Sequence, residues 1–326
     1  MKRLSILLLI LFCLGSGSVA EDFRLAFTVD LMVGHHAWFD SPFLVHEPEQ
    51  VVKTLKDLTG FNTLYVFYGG QVAPEKAIEI FDKWFSAGEK FAVEIIPVLS
   101  LINNYLAREK PELIYPNSGP VPKVDLRLDE VKKVYAQIVR EIDSRYAPNY
   151  FGIFEFNEFS AASMTEQYPR IKTTEALEWI EVLGSSTKAK KAVTFMQPWA
   201  VSLRWVKEFN LASLDTYGFI RDETWDELAS YTKKAVNVFK EVDGDLIILD
   251  DYGGELPAIR QRKAAEILRQ SGATGFNMDF IIISHVLWYK RNEDFWTDLL
   301  SDGSYDGVFR ESFNEVCQIY RESGEK

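Results

Sequence analysis

The sequence predicts an α/β fold of the (β/α)8-barrel (TIM barrel) class, carried as a single domain by residues 21–326 behind a short leader. Three observations predict it: eight short apolar runs rich in β-branched and aromatic residues, amphipathic stretches between consecutive runs, and acids gathered at the C-terminal ends of the runs. Strands that alternate with helices build a parallel sheet, and eight such units close into one barrel with its chemistry at the strand C-termini.

The leader comes first. Lys2 and Arg3 precede the apolar run "LSILLLILFCL", and small residues lead to Ala20. That is the layout of a secretory signal peptide over residues 1–20, cleaved near Ala20, which makes the expected mature protein secreted, extracellular or periplasmic. A lipid anchor at Cys13 is the rival, but bulky Phe12 stands where lipoprotein signals carry a small residue. No later run approaches the roughly 20 apolar residues of a membrane span.

The strands are read at 23–31, 63–70, 91–101, 150–158, 191–200, 211–219, 245–254 and 275–282. Between them, Ile78, Phe81 and Phe85 follow Pro74, a residue suited to the first helical position, and Val131, Val134, Ile138 and Ile142 keep helical spacing. The connection after the third strand, Ile102 to Asp125, contains "KPELIYPNSGPVPKVD" and is too long for an ordinary βα loop. In a barrel it lies over the C-terminal mouth. Phe159 to Thr174 is a second extended connection.

Composition limits the partners. The net charge is −12, and loss of Lys2 and Arg3 with the leader makes the mature chain more acidic still, which argues against nucleic acid and anionic lipid. Beyond the leader only Cys317 remains, so no internal disulfide forms and the core must hold the fold unaided. Aromatic residues make up 14% of the chain, enough to expect rings outside the core. Oligomeric state is left open.

The polar residues at the strand ends are Asp30 on the first, Glu155, Asn157 and Glu158 on the fourth, Asp215 and Tyr217 on the sixth, Asp250 and Asp251 on the seventh and Asp279 on the eighth. Alternation puts Glu155 and Asn157 on one side of the fourth strand, expected to be the barrel interior, with Glu158 at the rim. Acids brought together there favour raised pKa values, although each is also suited to capping the following helix. Trp38, Trp199, Tyr217 and Trp288 follow strands and offer flat faces for sugar rings or for helix packing. His35 and His36, beside Trp38, form a first-loop substrate contact or a buried pair; with four histidines in all, the chain offers no metal-ligand set. The glycine pairs lack nucleotide-loop spacing, and no cofactor is expected.

With "FNEF" ending the fourth strand and "LDDYG" ending the seventh, the chain resembles the clan A (β/α)8 glycoside hydrolases, whose corresponding segments read "WNEP" and "TEYG". The resemblance implies a carbohydrate substrate and O-glycoside hydrolysis by two carboxylates. Glu158 matches the acid/base, Asn157 the amide that holds the substrate 2-hydroxyl, and Asp251 the nucleophile of a retaining mechanism. Two positions depart from the pattern: the seventh-strand acid is Asp rather than Glu, and Phe159 replaces Pro. Glu255, in "YGGE", is the alternative partner.

"GIFEFNE" is also similar to the fourth strand of family 18 chitinases, but Phe154 and Phe156 occupy the positions of that family's supporting aspartates. A non-catalytic carbohydrate-binding barrel accounts for the aromatics and the leader, though not for the gathering of carboxylates at one mouth, where their repulsion costs stability.

Overall fold

The computed structural model describes residues 24–30, 47–68, 70, 73–116, 122–154, 172–195, 208–242, 244–250 and 258–279. Within them eight strands run parallel in chain order and close into a barrel. They are β1 (Arg24–Asp30), β2 (Thr63–Tyr68), β3 (Glu94–Leu99), β4 (Tyr150–Phe154), β5 (Lys190–Phe195), β6 (Leu211–Asp215), β7 (Asp245–Asp250) and β8 (Gly275–Asp279). β1 pairs with β2 through Ala26–Thr63 and with β8 through Ala26–Asn277, which leaves no strand edge to protect.

Helices wrap the barrel. They are α1 (Pro48–Thr59), α2 (Pro74–Phe91), α3 (Asn104–Glu109), α4 (Asp129–Tyr146), α5 (Thr173–Gly184), α6 (Tyr217–Arg221), α7 (Trp225–Glu241) and α8 (Ala258–Gln270). As the spacing predicts, α2 starts with Pro74 in its first turn and buries Ile78 and Phe81, with Phe85 packed beside them; α4 buries Val131, Ile138 and Ile142. The strands divide their side chains between two cores. Ala26, Tyr65, Phe67, Ile96, Val98, Tyr150, Ala192 and Leu211 fill the barrel, while Phe27, Leu64, Phe151, Val193 and Phe276 pack outward with Trp84, Trp179 and Leu268 of the helices. Burial on both faces explains why the strands read as continuous apolar runs. Each large apolar side chain removed from water contributes about 1.5–3 kcal/mol.

β3 and β6 are shorter than the sequence reading. Phe91 ends α2 rather than opening β3, because the apolar period of the helix runs on to it before Ala92 adopts a left-handed cap at φ 51°. Tyr217, expected on the sixth strand, instead begins α6, since β6 stops at Asp215 and the amides of Phe219 and Ile220 turn back to Thr216.

Along β4 the register shifts. Gly152 pairs with Ala192 of the inner layer, yet Phe154 pairs with Val193 of the outer one. Gly152 also faces Val98 across the β3–β4 pair, where a Cβ would stand 2.5 Å from Val98 Cγ2 and 2.9 Å from its Cβ. Such distances force Val98 or the strand to move. Gly152→Ala is therefore expected to destabilise the barrel by about 1–3 kcal/mol, and Val98→Ala in the same chain to recover part of the loss. Urea unfolding of the two single variants and the double variant measures this, and additive effects would contradict the contact.

Candidate active site at the barrel mouth

The N-terminal end of the barrel is plugged. Arg24 lies 4.7 Å over the Tyr150 ring, donates to its hydroxyl at 3.3 Å and stands 3.9 Å from the Glu94 carboxylate. Asn149 Nδ2 donates to Glu94 at 2.9 Å, and Lys190 Nζ lies 5.7 Å from the centre of the Tyr150 ring. One layer higher, Ser213 Oγ donates to Tyr65 Oη across the barrel at 3.4 Å, and burial raises the Tyr65 phenol well above its ordinary pKa. With this end filled by paired groups, a ligand reaches the barrel axis from the C-terminal end.

At that end the pairing register sorts the predicted acids. Asp30 pairs with Phe67, which belongs to the inner core. Asp279 pairs with Thr28, one alternation beyond the inner-layer pair Ala26–Asn277. Asp215 follows the buried Ser213 by two residues. The C-terminal residues of β1, β6 and β8 thus all stand on the interior register. Asp250 does not: it pairs with Met278, in step with Ile248 and the outward-packed Phe276. The inner register of β7 belongs to Leu249, which pairs with Asn277.

The long connection after β3 is ordered around Asn103 and Asp125. It crosses the C-terminal end of β2, where the Tyr105 amide donates to Gly70 O at 2.8 Å, and it folds back through antiparallel bridges of Ile102 with Lys123 and Ile114 with Val124. Buried Asp125 accepts Arg127 Nε at 2.8 Å and Nη2 at 2.6 Å, and the guanidinium lies 5.1 Å over the Tyr115 ring. These contacts place the described parts of the segment beyond the C-terminal end of β2.

Of the sequence-predicted site residues, Asp30, Asp215, Asp250 and Asp279 are strand ends and Tyr217 is the first residue of α6. Glu155, Asn157 and Glu158 lie outside the described residues, as do His35, His36, Trp38, Trp199, Trp288, Asp251 and Glu255. β4 reaches Phe154, so the described strand stops one residue short of Glu155. Sequence reading missed Asn277 and Ser213, both buried polar residues on the inner register below Asp279 and Asp215. Their signal was available: each stands two residues before a strand-end acid, in "FNMD" and "ASLD". Among the described residues no group of His, Cys, Asp and Glu is arranged to hold a metal ion, and no helix is long and apolar enough to cross a membrane.

Comparison of the whole fold matches several glycosidase structures, among them a GH20 exo-β-N-acetylglucosaminidase from Vibrio harveyi. A GH113 β-1,4-mannanase superposes with a TM-score of 0.55 at 11% identity, over 94% of this chain and 99% of its own. The chain is a distant structural match to clan A glycoside hydrolases. The GH113 β-mannanase AaManA from Alicyclobacillus acidocaldarius, in complex with ManMIm, matches with a TM-score of 0.53 at 13% identity, covering 94% and 99% of the two chains. An exo-β-1,4-mannosidase from Opitutaceae bacterium strain TAV5 gives 0.57 at 12% identity, over 94% of this chain and 62% of that one. Identities this low speak for the fold alone. No protein-family model matches the sequence, and no curated protein matches it.

Proposed function

We propose that the protein is a glycoside hydrolase that cleaves O-glycosidic bonds of an oligo- or polysaccharide with two carboxylates at the C-terminal mouth of the barrel. The observation that carries this reading is the shared interior register of Asp30, Asp215 and Asp279 at the strand ends opposite the plug. A ring of acids around one opening is costly without a task, and a sugar with many hydroxyls supplies partners for all of them.

In the proposed reaction Glu158 protonates the leaving glycosidic oxygen while Asp251, or Glu255 in its place, attacks the anomeric carbon to give a glycosyl ester. Glu158 then takes a proton from water, whose oxygen displaces the carboxylate and restores both groups. Asn157 holds the 2-hydroxyl. The acids on β1, β6 and β8 bind the remaining hydroxyls. Because two structural neighbours are β-1,4-mannanases, β-1,4-mannan is the first polysaccharide to test. A carbohydrate-binding barrel without activity would retain the polymer and release no reducing ends.

Export belongs to the same proposal, supported by the leader-like composition of residues 1–20. N-terminal sequencing of the protein from a secreting host should start at Glu21. Retention of Met1 in the cell-associated protein would contradict it.

A further inference from the structure

Asn103 stands where three pieces of the barrel rim meet. Its side chain is buried; Oδ1 accepts the Leu106 amide at 2.8 Å, capping α3, and Nδ2 donates to Tyr135 Oη of α4 at 3.2 Å. Tyr135 in turn donates to Ser100 O at 2.9 Å, just past β3, and the Ile102 amide donates to Ser100 Oγ at 3.1 Å. The Asn103 amide donates to Pro122 O at 2.9 Å, joining the two ends of the long connection. On the β2 side, Gly70 adopts φ 63° and has no room for a Cβ, because the Asn103 carboxamide occupies that space. Asn103 thus links the segment to its return strand through its backbone amide, and to α4 and the end of β2 through its carboxamide, which bonds Tyr135 and packs against Gly70.

We infer that Asn103 is a positioning residue that holds residues 102–116 and 122–125 as a fixed wall at the C-terminal ends of β2 and β3, on one bank of the substrate cleft. The wall stands between Asp30 on β1 and the end of β4, facing the β6–β8 acids across the barrel. The inference rests on the glycoside hydrolase reading for its substrate, an oligosaccharide long enough to reach from the barrel axis to the rim. A preformed bank orients the outer sugars without ordering a loop at each encounter. A monosaccharide glycoside with an activated aryl leaving group does not extend so far.

Asn103→Ala removes the cap and the bond to Tyr135 together, Tyr135→Phe keeps the cap but removes the bonds of α4 to Asn103 and Ser100, and Asn103→Ser keeps a short cap acceptor. Hydrogen exchange of peptides spanning 102–116 should speed up about tenfold in Asn103→Ala, with exchange in the barrel strands unchanged, and Asn103→Ser should recover part of the protection. kcat/KM on an oligosaccharide should fall about tenfold in Asn103→Ala and Tyr135→Phe, with aryl monoglycoside hydrolysis within about twofold of wild type. Unchanged exchange in 102–116 overturns the inference, and so does an equal loss on both substrates, which would mark general destabilisation. If the wild type cleaves neither substrate, the hydrolase reading fails, and exchange alone decides whether Asn103 holds the connection.

Discussion

A Glu158→Ala variant is expected to hydrolyse glycosides with poor leaving groups about 10²–10⁴-fold more slowly than the wild type while retaining most of its activity on activated aryl glycosides. An alkoxide leaves a sugar only when its oxygen is protonated as the bond breaks, whereas a nitrophenolate leaves without help. Loss of a general acid therefore divides substrates by the pKa of their leaving groups. Loss of folding does not. The motivation is the place of Glu158 in "FNEF", four residues beyond the end of β4, and the measurement is kcat/KM over a series of aryl glycosides with graded leaving groups. A uniform decrease over the series would remove Glu158 from the role of acid.

Removal of the nucleophile should have a larger effect and a distinctive repair. Asp251→Gly is expected to abolish measurable turnover, and azide should restore hydrolysis of an activated substrate by attacking the anomeric carbon from the vacated side to give a glycosyl azide of inverted configuration. The β7 pairing bears on this choice, because Asp250 holds the outward register. A retaining reaction needs the two carboxylates about 5–5.5 Å apart, while a separation of roughly 6.5–9.5 Å admits a water and gives inversion. Asp is one methylene shorter than the Glu of the clan A pattern, so the parallel Glu255→Gly variant is essential. Azide rescue in that variant, with full activity in Asp251→Gly, would transfer the role to Glu255.

The eight strands were legible because a parallel sheet buried on both faces needs apolar residues at consecutive positions, as the fully buried Thr63–Tyr68 illustrates. Helix α2 was legible from Pro74 and its apolar period. Boundaries were harder. Phe91 and Tyr217 are aromatic residues adjoining strand-like runs, and only the cap at Ala92 and the turn at Thr216 assign them to helices. The β4 register shift had no local signal, since it depends on how Gly152 packs against Val98 of the neighbouring strand. Asp30, Asp215 and Asp279 were found because strand-end acids interrupt apolar runs, but their shared inner register follows from pairing across the barrel. Asn103 carried no such mark. Its importance comes from Tyr135 and Gly70, each 32 or more residues away in sequence.

The most direct measurement is reducing-sugar release from a panel of polysaccharides by the mature protein, with a Glu158→Gln variant of matched folding beside it. Release from at least one β-linked polymer by the wild type is expected, with about 10²–10⁴-fold less by the variant, whose amide cannot donate a proton as a carboxylic acid does. Retention of a polymer by both proteins with no sugar released by either would contradict it, and would leave a barrel that binds carbohydrate without cleaving it.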